Sequence, residues 1–171
     1  MGILDAWRYC PRCAAELRVE SDHLACPSCG GQYWANSIPG VQGILVRDGK
    51  VMLARRAREP RRGHWDLPGG FLHENERPED GLRREFREET GLEIEPVRLL
   101  RIDLEPYDER FVFSVSWVVR DVDATREPQA ADDVAELRWF GPAELPIEMA
   151  FPGQVGVLRE WAGSKSPEPP R

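Results

Sequence analysis

Cys10, Cys13, Cys26 and Cys29 stand as two C-x2-C pairs separated by twelve residues. Each pair sets two thiolates on one tight turn, about 2.3 Å from a shared metal. Twelve residues are enough for a short hairpin that returns the second pair to the first. Pro11 and Pro27 follow the first cysteine of each pair, and Gly30-Gly31 follow the last, where the backbone must turn freely. The spacing points to Zn2+. All four tetrahedral positions are filled by protein, so the zinc would be structural; a catalytic site keeps one position open for water. Two disulfides would suit a secreted domain, but the opening Met-Gly-Ile-Leu-Asp-Ala-Trp has neither the basic start nor the apolar stretch of an export signal. A redox C-x-x-C needs only one pair.

The second group is Glu85, Glu88 and Glu89. On a helix, positions i, i+3 and i+4 fall on one face. Three carboxylates there repel, and a divalent cation removes the conflict. Hard oxygen ligands favour Mg2+ or Mn2+ over zinc. An ordinary solvated acidic face is the alternative. Against it, the acidic arc adjoins the apolar pair Leu82 and Phe86, which predicts partial burial. Arg84 can orient the carboxylates, and Gly69-Gly70 can bring a backbone carbonyl close.

The elements that must position these groups can be read around them. Residues 38–57 read as strand, turn, strand, with Asp48-Gly49 as the hairpin signal. Residues 58–64 form a basic loop. A helix is predicted over 78–90, with Pro78 in its first turn, Glu79-Asp80 at the positive end of its dipole and Gly91 as its left-handed cap. Gly81 inside it costs on the order of 1 kcal/mol against alanine; a small residue there would let another element approach. Strands are expected over 92–104, 111–119 and 137–140, a polar loop over 121–133, and a final helix over 153–162. The proline-rich end, Lys165 to Arg171, is expected not to pack. The expected organisation is a zinc ribbon over 1–36, a mixed domain, α/β or α+β, over 37–162 and a disordered tail over 163–171.

The chain has 171 residues, 41 % of them apolar and 31 % charged, with a net charge of −7. This suits a soluble globular protein with a real core. An acidic chain is a poor generic nucleic-acid coat. In residues 1–36, Arg8, Arg12 and Arg18 are outnumbered by Asp5, Glu16, Glu20 and Asp22. No apolar run approaches a bilayer span. Neither a nucleic-acid nor a membrane partner is therefore expected; the expected location is the cytoplasm. Self-association into a homodimer stays open, with the ribbon as one contact that could mediate it.

Taken together, Gly70, Glu76, Arg84-Glu85-Phe86, Glu88-Glu89 and Gly91-Leu92 reproduce the spacing GX5EX7REUXEEXGU. The chain resembles the Nudix hydrolases at every position of that signature. Arg55-Arg56-Ala57, Gly63-x-Trp65-x-Leu67-Pro68-Gly69-Gly70 and Arg138-Trp139-Phe140 extend the likeness over roughly residues 38–162. The resemblance implies an α/β/α sandwich and metal-dependent hydrolysis of a nucleoside diphosphate linked to another moiety. It implies that Glu85 and Glu89 are the main Mg2+ or Mn2+ ligands and that Glu88 is a further ligand or the base. Gly69 would offer its carbonyl, Arg84 would orient the glutamates and Glu76 would support the helix start. Asp133, with Glu136 as the alternative, stands where a later acidic residue often completes the site. Arg55 and Arg56, with Arg61 and Arg62, could contact phosphates; the alternative, favoured for at least half of them, is that they are ordinary surface arginines. Phe151, Tyr107 or Phe111 could stack on a base; for either phenylalanine a core role is the alternative.

A zinc ribbon joined to such a domain resembles two subgroups. NADH pyrophosphatases carry a Ser-Gln-Pro-Trp-Pro-Phe-Pro-x-Ser array, and Leu99 to Tyr107 here lacks it. The shorter FAD and ADP-ribose pyrophosphatases share Ala54 to Pro60, Gly63-x-Trp65 and Leu145-Pro146-Ile147 with Ala150-Phe151, although Trp34 to Pro39 departs from their usual Tyr-x-Asn-Pro. The implied substrate is a dinucleotide or an ADP-ribose-type pyrophosphate. A nucleoside triphosphate sanitiser and a non-catalytic ligand-sensing module are the alternatives.

Overall fold

Apolar residues that alternate along two central strands place a core on both faces of one sheet. A computed structural model describes residues 2–163. Strands β1 (Arg18–Val19), β2 (Leu24–Ala25) and β3 (Gln32–Tyr33) form a small antiparallel sheet. The main sheet holds β4 (Ile38–Arg47), β5 (Lys50–Arg56), β8 (Ile94–Tyr107), β9 (Arg110–Asp121) and β10 (Val134–Phe140), in the order β10-β5-β4-β9-β8. The short β6 (Trp65–Asp66) pairs with β5, and β7 (Gly69–Phe71) pairs with β4.

The expected hairpin joins β4 to β5. Asp48 and Gly49 both have positive φ, 51° and 69°, which matches the right-handed twist of the flanking strands. β4 also runs parallel to β9, with Gln42 opposite Ser116 and Ile44 opposite Val118. β8 and β9 form a long antiparallel hairpin with register shifts after Pro96 and after Leu99.

Helix α1 (Pro78–Thr90) and helix α2 (Pro152–Gly163) cover opposite faces. Ile44, Leu53 and Leu67 pack with Val157, Leu158 and Trp161 of α2. Val41, Leu45, Met52 and Val119 pack with Leu82 and Phe86 of α1. The neighbours Ile44 and Leu45 thus point to different cores, as strand alternation requires. Gly43 is opposite Phe86; a Cβ there would lie 2.6 Å from the ring. Gly81 has the role its size allows: its missing Cβ would sit 2.3 Å from Leu72. The helix ends at Gly91, whose φ is 69° and whose N–H bonds to the Arg87 carbonyl.

Strands run longer than the sequence suggests, β8 reaching Tyr107 and β9 reaching Asp121. Cross-strand pairing carries them past polar residues that propensity alone would exclude. A 3-10 turn at Gly2–Ala6, which buries Leu4, has no counterpart in the sequence reading. Gly163 ends α2, and the rest of the expected tail lies outside the described residues. No helix among the described residues is long and apolar enough to cross a membrane.

Candidate active site and cysteine cluster

The four cysteine sulfurs converge, all within 4.8 Å of one another. Cys10 Sγ is 3.6 Å from Cys29 Sγ, and Cys13 Sγ is 3.5 Å from Cys26 Sγ. Both pairs sit on equivalent turns. The Ala14 N–H bonds to the Cys10 carbonyl, the Gly30 N–H bonds to the Cys26 carbonyl, and Ala14 and Gly30 have φ of 57° and 71°. The Tyr33 hydroxyl lies 3.1 Å from Cys10 Sγ, and its hydrogen bond lowers the Cys10 pKa to about 6. A donor set of four converging thiols, one already biased toward thiolate, fits Zn2+.

A cleft of about 510 Å3 is lined by Gly69, Gly70, Arg84, Glu85, Glu88, Glu89 and Asp133, and also by Arg56, Asp66, Glu105, Tyr107 and Phe151. α1 supplies the glutamates. Glu85 and Glu89 are buried, while the Glu88 side chain is 48 % exposed. The two glycines before α1 make this possible. The Gly69 N–H donates to Glu89 Oε2 at 2.8 Å. A Cβ on Gly70 would lie 2.5 Å from the Glu85 carboxyl, so only glycine lets that carboxylate rest against the chain.

Arg84 organises the rest. Its Nε and one terminal nitrogen donate to both oxygens of Glu76 at 2.8 Å each. Its other terminal nitrogen bridges Glu85 at 2.7 Å and Glu88 at 3.0 Å. This bidentate contact holds the Glu76 pKa down at about 2. Glu76 also accepts the His73 N–H at 2.9 Å, which fixes the loop ahead of the helix.

Burial pushes the pKa of Glu85 up, with Arg84 opposing it. It pushes Glu89 well up, and the charges of Asp66, Asp133 and Glu85 add to the effect. Glu85, Glu89 and Asp133 thus turn oxygen donors to one cleft, with Arg84 bonded to Glu85 and Arg56 on the same lining. That donor set could hold a hard divalent ion.

Arg56 and Arg55 diverge, as neighbours on a strand must. Arg56 is 15 % exposed, bonds Asp66 at 2.8 Å and the Pro60 carbonyl at 2.8 Å, and lines the cleft. Burial opposes its charge, and the Asp66 carboxylate outweighs that opposition, leaving its pKa raised. Arg55 is placed outside the cleft. It bonds the Gly63 carbonyl, pairs with Glu136 at 3.5 Å and lines a separate depression with Arg62. Glu136 is engaged there by Arg55 and Arg138, so Asp133 is the acidic residue that reaches the cleft. Phe151 is 9 % exposed, stacks on Tyr107 at 5.7 Å and carries the Arg61 guanidinium 5.4 Å over its ring. Phe111 is exposed and lies outside the cleft lining.

The sequence reading missed the polar floor of the cleft. Ser116 Oγ accepts from Gln42, Gln42 Oε1 accepts from Gln154 at 2.8 Å, and Gln154 also donates to Asp66. All four residues are buried. Burial pushes the Asp66 pKa up, while Gln154 and Arg56 pull it back. The available signal was the two-residue period of Ser114 and Ser116 inside an apolar run, and the single Gln42 inside another.

The comparisons agree with this geometry. The crystal structure of a NUDIX hydrolase from Nitrosomonas europaea superposes with a TM-score of 0.80 at 26 % identity, covering 93 % of this chain and 92 % of that one. An NAD-capped RNA hydrolase NudC from Chromobacterium violaceum is 32 % identical over 141 residues, 81 % of this chain and 52 % of that protein. An ADP-ribose pyrophosphatase from Methanocaldococcus jannaschii is 35 % identical over 113 residues, 65 % of each. The chain therefore spans between about half and two thirds of the length of these relatives. The NUDIX domain family profile matches residues 38–161, the stretch that builds the main sheet, both helices and the glutamate cleft, and the chain belongs to that family.

Proposed function

We propose that this chain is a metal-dependent pyrophosphohydrolase. It cleaves a nucleoside diphosphate linked to another moiety, of the dinucleotide or ADP-ribose type, and releases a nucleoside monophosphate. The observation that carries the reading is the buried pair Glu85 and Glu89, set against Gly69-Gly70 in a cleft that also presents Arg56. Glu85, Glu89, Glu88, Asp133 and the Gly69 carbonyl would hold Mg2+ or Mn2+. Such an ion, when bound, lowers the pKa of water and stabilises charge on phosphoryl oxygens.

This chain's own groups do the rest. Arg84, anchored on Glu76, holds Glu85 and Glu88 through direct hydrogen bonds. Glu88, the most exposed of the three glutamates, would serve either as a further metal ligand or as the base that takes a proton from attacking water. Arg56 has one terminal nitrogen left for a phosphate oxygen after bonding Asp66 and Pro60. Phe151 and Tyr107 form an aromatic wall suited to a nucleobase. The names of the NudC and ADP-ribose pyrophosphatase relatives support the substrate class. Residues 1–36 would fold as a zinc ribbon and 37–162 as the hydrolase unit.

The test is a substrate panel of FAD, ADP-ribose, NADH, NAD+, nucleoside triphosphates and a sugar nucleotide, with Mg2+ or Mn2+, on wild type and Glu89→Gln. Glutamate-dependent release of a nucleoside monophosphate from dinucleotides or ADP-ribose supports the proposal. Preferential turnover of triphosphates would replace it with the sanitiser, and metal binding without turnover would replace it with the sensor.

A further inference from the structure

Among the described residues, Glu105 Oε1 and Gln154 Oε1 are buried side-chain atoms with no hydrogen-bond partner, and both residues line the glutamate cleft. Glu105 is 5 % exposed and Gln154 is 1 % exposed. The second oxygen of Glu105 accepts the Gly153 N–H at 3.1 Å, at the start of α2. A Cβ on Gly153 would overlap Oε1, so glycine is what lets the carboxyl lie against the chain. The neighbouring cations are engaged elsewhere. Arg101 grips both oxygens of Asp103 at 2.6 Å, and Arg61 lies over the Phe151 ring. The Gln154 amide nitrogen donates to Gln42 and to Asp66, and Asp66, itself held by Arg56, fixes which end of that amide is the oxygen. Glu105 and Tyr107 alternate along β8 and share a face. Tyr107 stacks on Phe151, two residues before Gly153, so the aromatic wall is bordered by buried acceptors that have no donor.

We propose that Glu105 selects the base of the substrate: with the base against the Tyr107–Phe151 wall, Glu105 Oε1 accepts an N–H from the 6-amino group of adenine, and Gln154 Oε1 offers a second acceptor in the same cleft. The proposal rests on the hydrolase reading of this cleft and adds which base it takes. Charge places the base here and the phosphates elsewhere. A phosphate oxygen would be repelled by the Glu105 carboxylate, whereas Arg56 on the same lining attracts it. Hydrogen bonding then decides which base. Adenine presents an amine with two N–H donors where guanine presents a carbonyl oxygen. A carbonyl set against the carboxylate opposes two acceptors with no donor between them, at a buried position where that is costly. A site whose buried group needs a donor discriminates strongly against an analogue that lacks one. Burial raises the pKa of Glu105, and the Gly153 N–H opposes the rise; a ligand donor on Oε1 favours the charged, accepting form in the same way.

Calorimetric titration of the full chain with AMP and with IMP tests the proposal without requiring turnover. IMP differs by a carbonyl oxygen in place of the 6-amino group. Wild type should bind AMP at least about 10-fold more tightly than IMP. Glu105→Gln keeps an oxygen for the Gly153 N–H and brings an amide N–H2 to the position of Oε1, where it can donate to the IMP carbonyl. The AMP-to-IMP preference should then fall to within about 3-fold. A purely structural role at the start of α2 would weaken both nucleotides alike and leave their ratio unchanged. The wild-type comparison stands even if the variant misfolds, and circular dichroism certifies the variant. Equal affinities in wild type, no binding of AMP, or a ratio that Glu105→Gln leaves intact would each overturn the inference. So would a preference for AMP over 2′-deoxy-AMP that Glu105→Gln abolishes, because that would assign the carboxylate to the ribose. The hydrolase reading fails separately: base discrimination without turnover of ADP-ribose or any dinucleotide overturns that reading alone, and turnover without base discrimination overturns only the role of Glu105.

Discussion

Glu76→Gln isolates the Arg84 clamp. The substitution keeps the shape of the side chain and removes the charge that two nitrogens of Arg84 contact at 2.8 Å. Both side chains are largely enclosed, 14 % and 18 % exposed. A hydrogen bond to a charged group contributes about 1.5–3 kcal/mol, and two bonds sharing one ion pair at a partly wet site should together contribute about 2–3 kcal/mol. For a domain of this size that corresponds to about 5–10 °C in Tm. The pKa of Glu76 is depressed from 4.5 to about 2 in the folded protein. Its contribution is therefore fully present above pH 4.5, shrinks as pH falls, and is gone near pH 2. Thermal melts of wild type and variant at matched pH, followed by tryptophan fluorescence, give the difference directly; acid release of metal by the cysteines is common to both and cancels. A Tm difference below about 1 °C at pH 7 would refute the assigned strength of the clamp. A difference that stays constant down to pH 2.5 would refute its electrostatic origin.

Three further outcomes are expected. Glu89→Gln should abolish turnover yet raise the Tm of the metal-free protein, because it removes a buried charge crowded by Asp66, Asp133 and Glu85; turnover assays and calorimetry with a chelator check both halves. Gly70→Ala should lose activity at least about 100-fold, since its Cβ would displace the Glu85 carboxyl; steady-state kinetics read this out. Cys13→Ala should lower bound zinc below one per chain and unfold the β1–β3 sheet while leaving the α1 and α2 cores intact, as metal analysis and amide exchange would report.

Much of this was legible because local rules and tertiary packing agree. Pro78, Gly91 and the apolar pair Leu82 and Phe86 delimit α1 before any contact is known, and Asp48-Gly49 marks the hairpin turn. The cysteine spacing foretells convergence of four sulfurs that are distant in sequence. What escaped depends on which strand lies beside which. Arg55 and Arg56 look equivalent in the sequence, and only the register of β5 against β6 and β10 sends one into the cleft and the other to Glu136. Gln42, Ser116, Gln154 and Asp66 come from four separate elements, and no window of sequence brings them together.

The parallel seam between β4 and β9 has a kinetic consequence. Each strand belongs to a local hairpin, β4 with β5 and β8 with β9, and such hairpins close within microseconds. The seam instead joins residues more than 70 positions apart, as in Gln42 and Ser116, and it forms only after a large loss of chain entropy. The two hairpins should therefore assemble early as separate units and dock late. Gln42 and Ser116 lie on opposite sides of that junction, so the floor of the cleft comes into existence with the final docking step. Recovery of ligand binding during refolding should then lag behind formation of strand structure and keep pace with closure of the sheet.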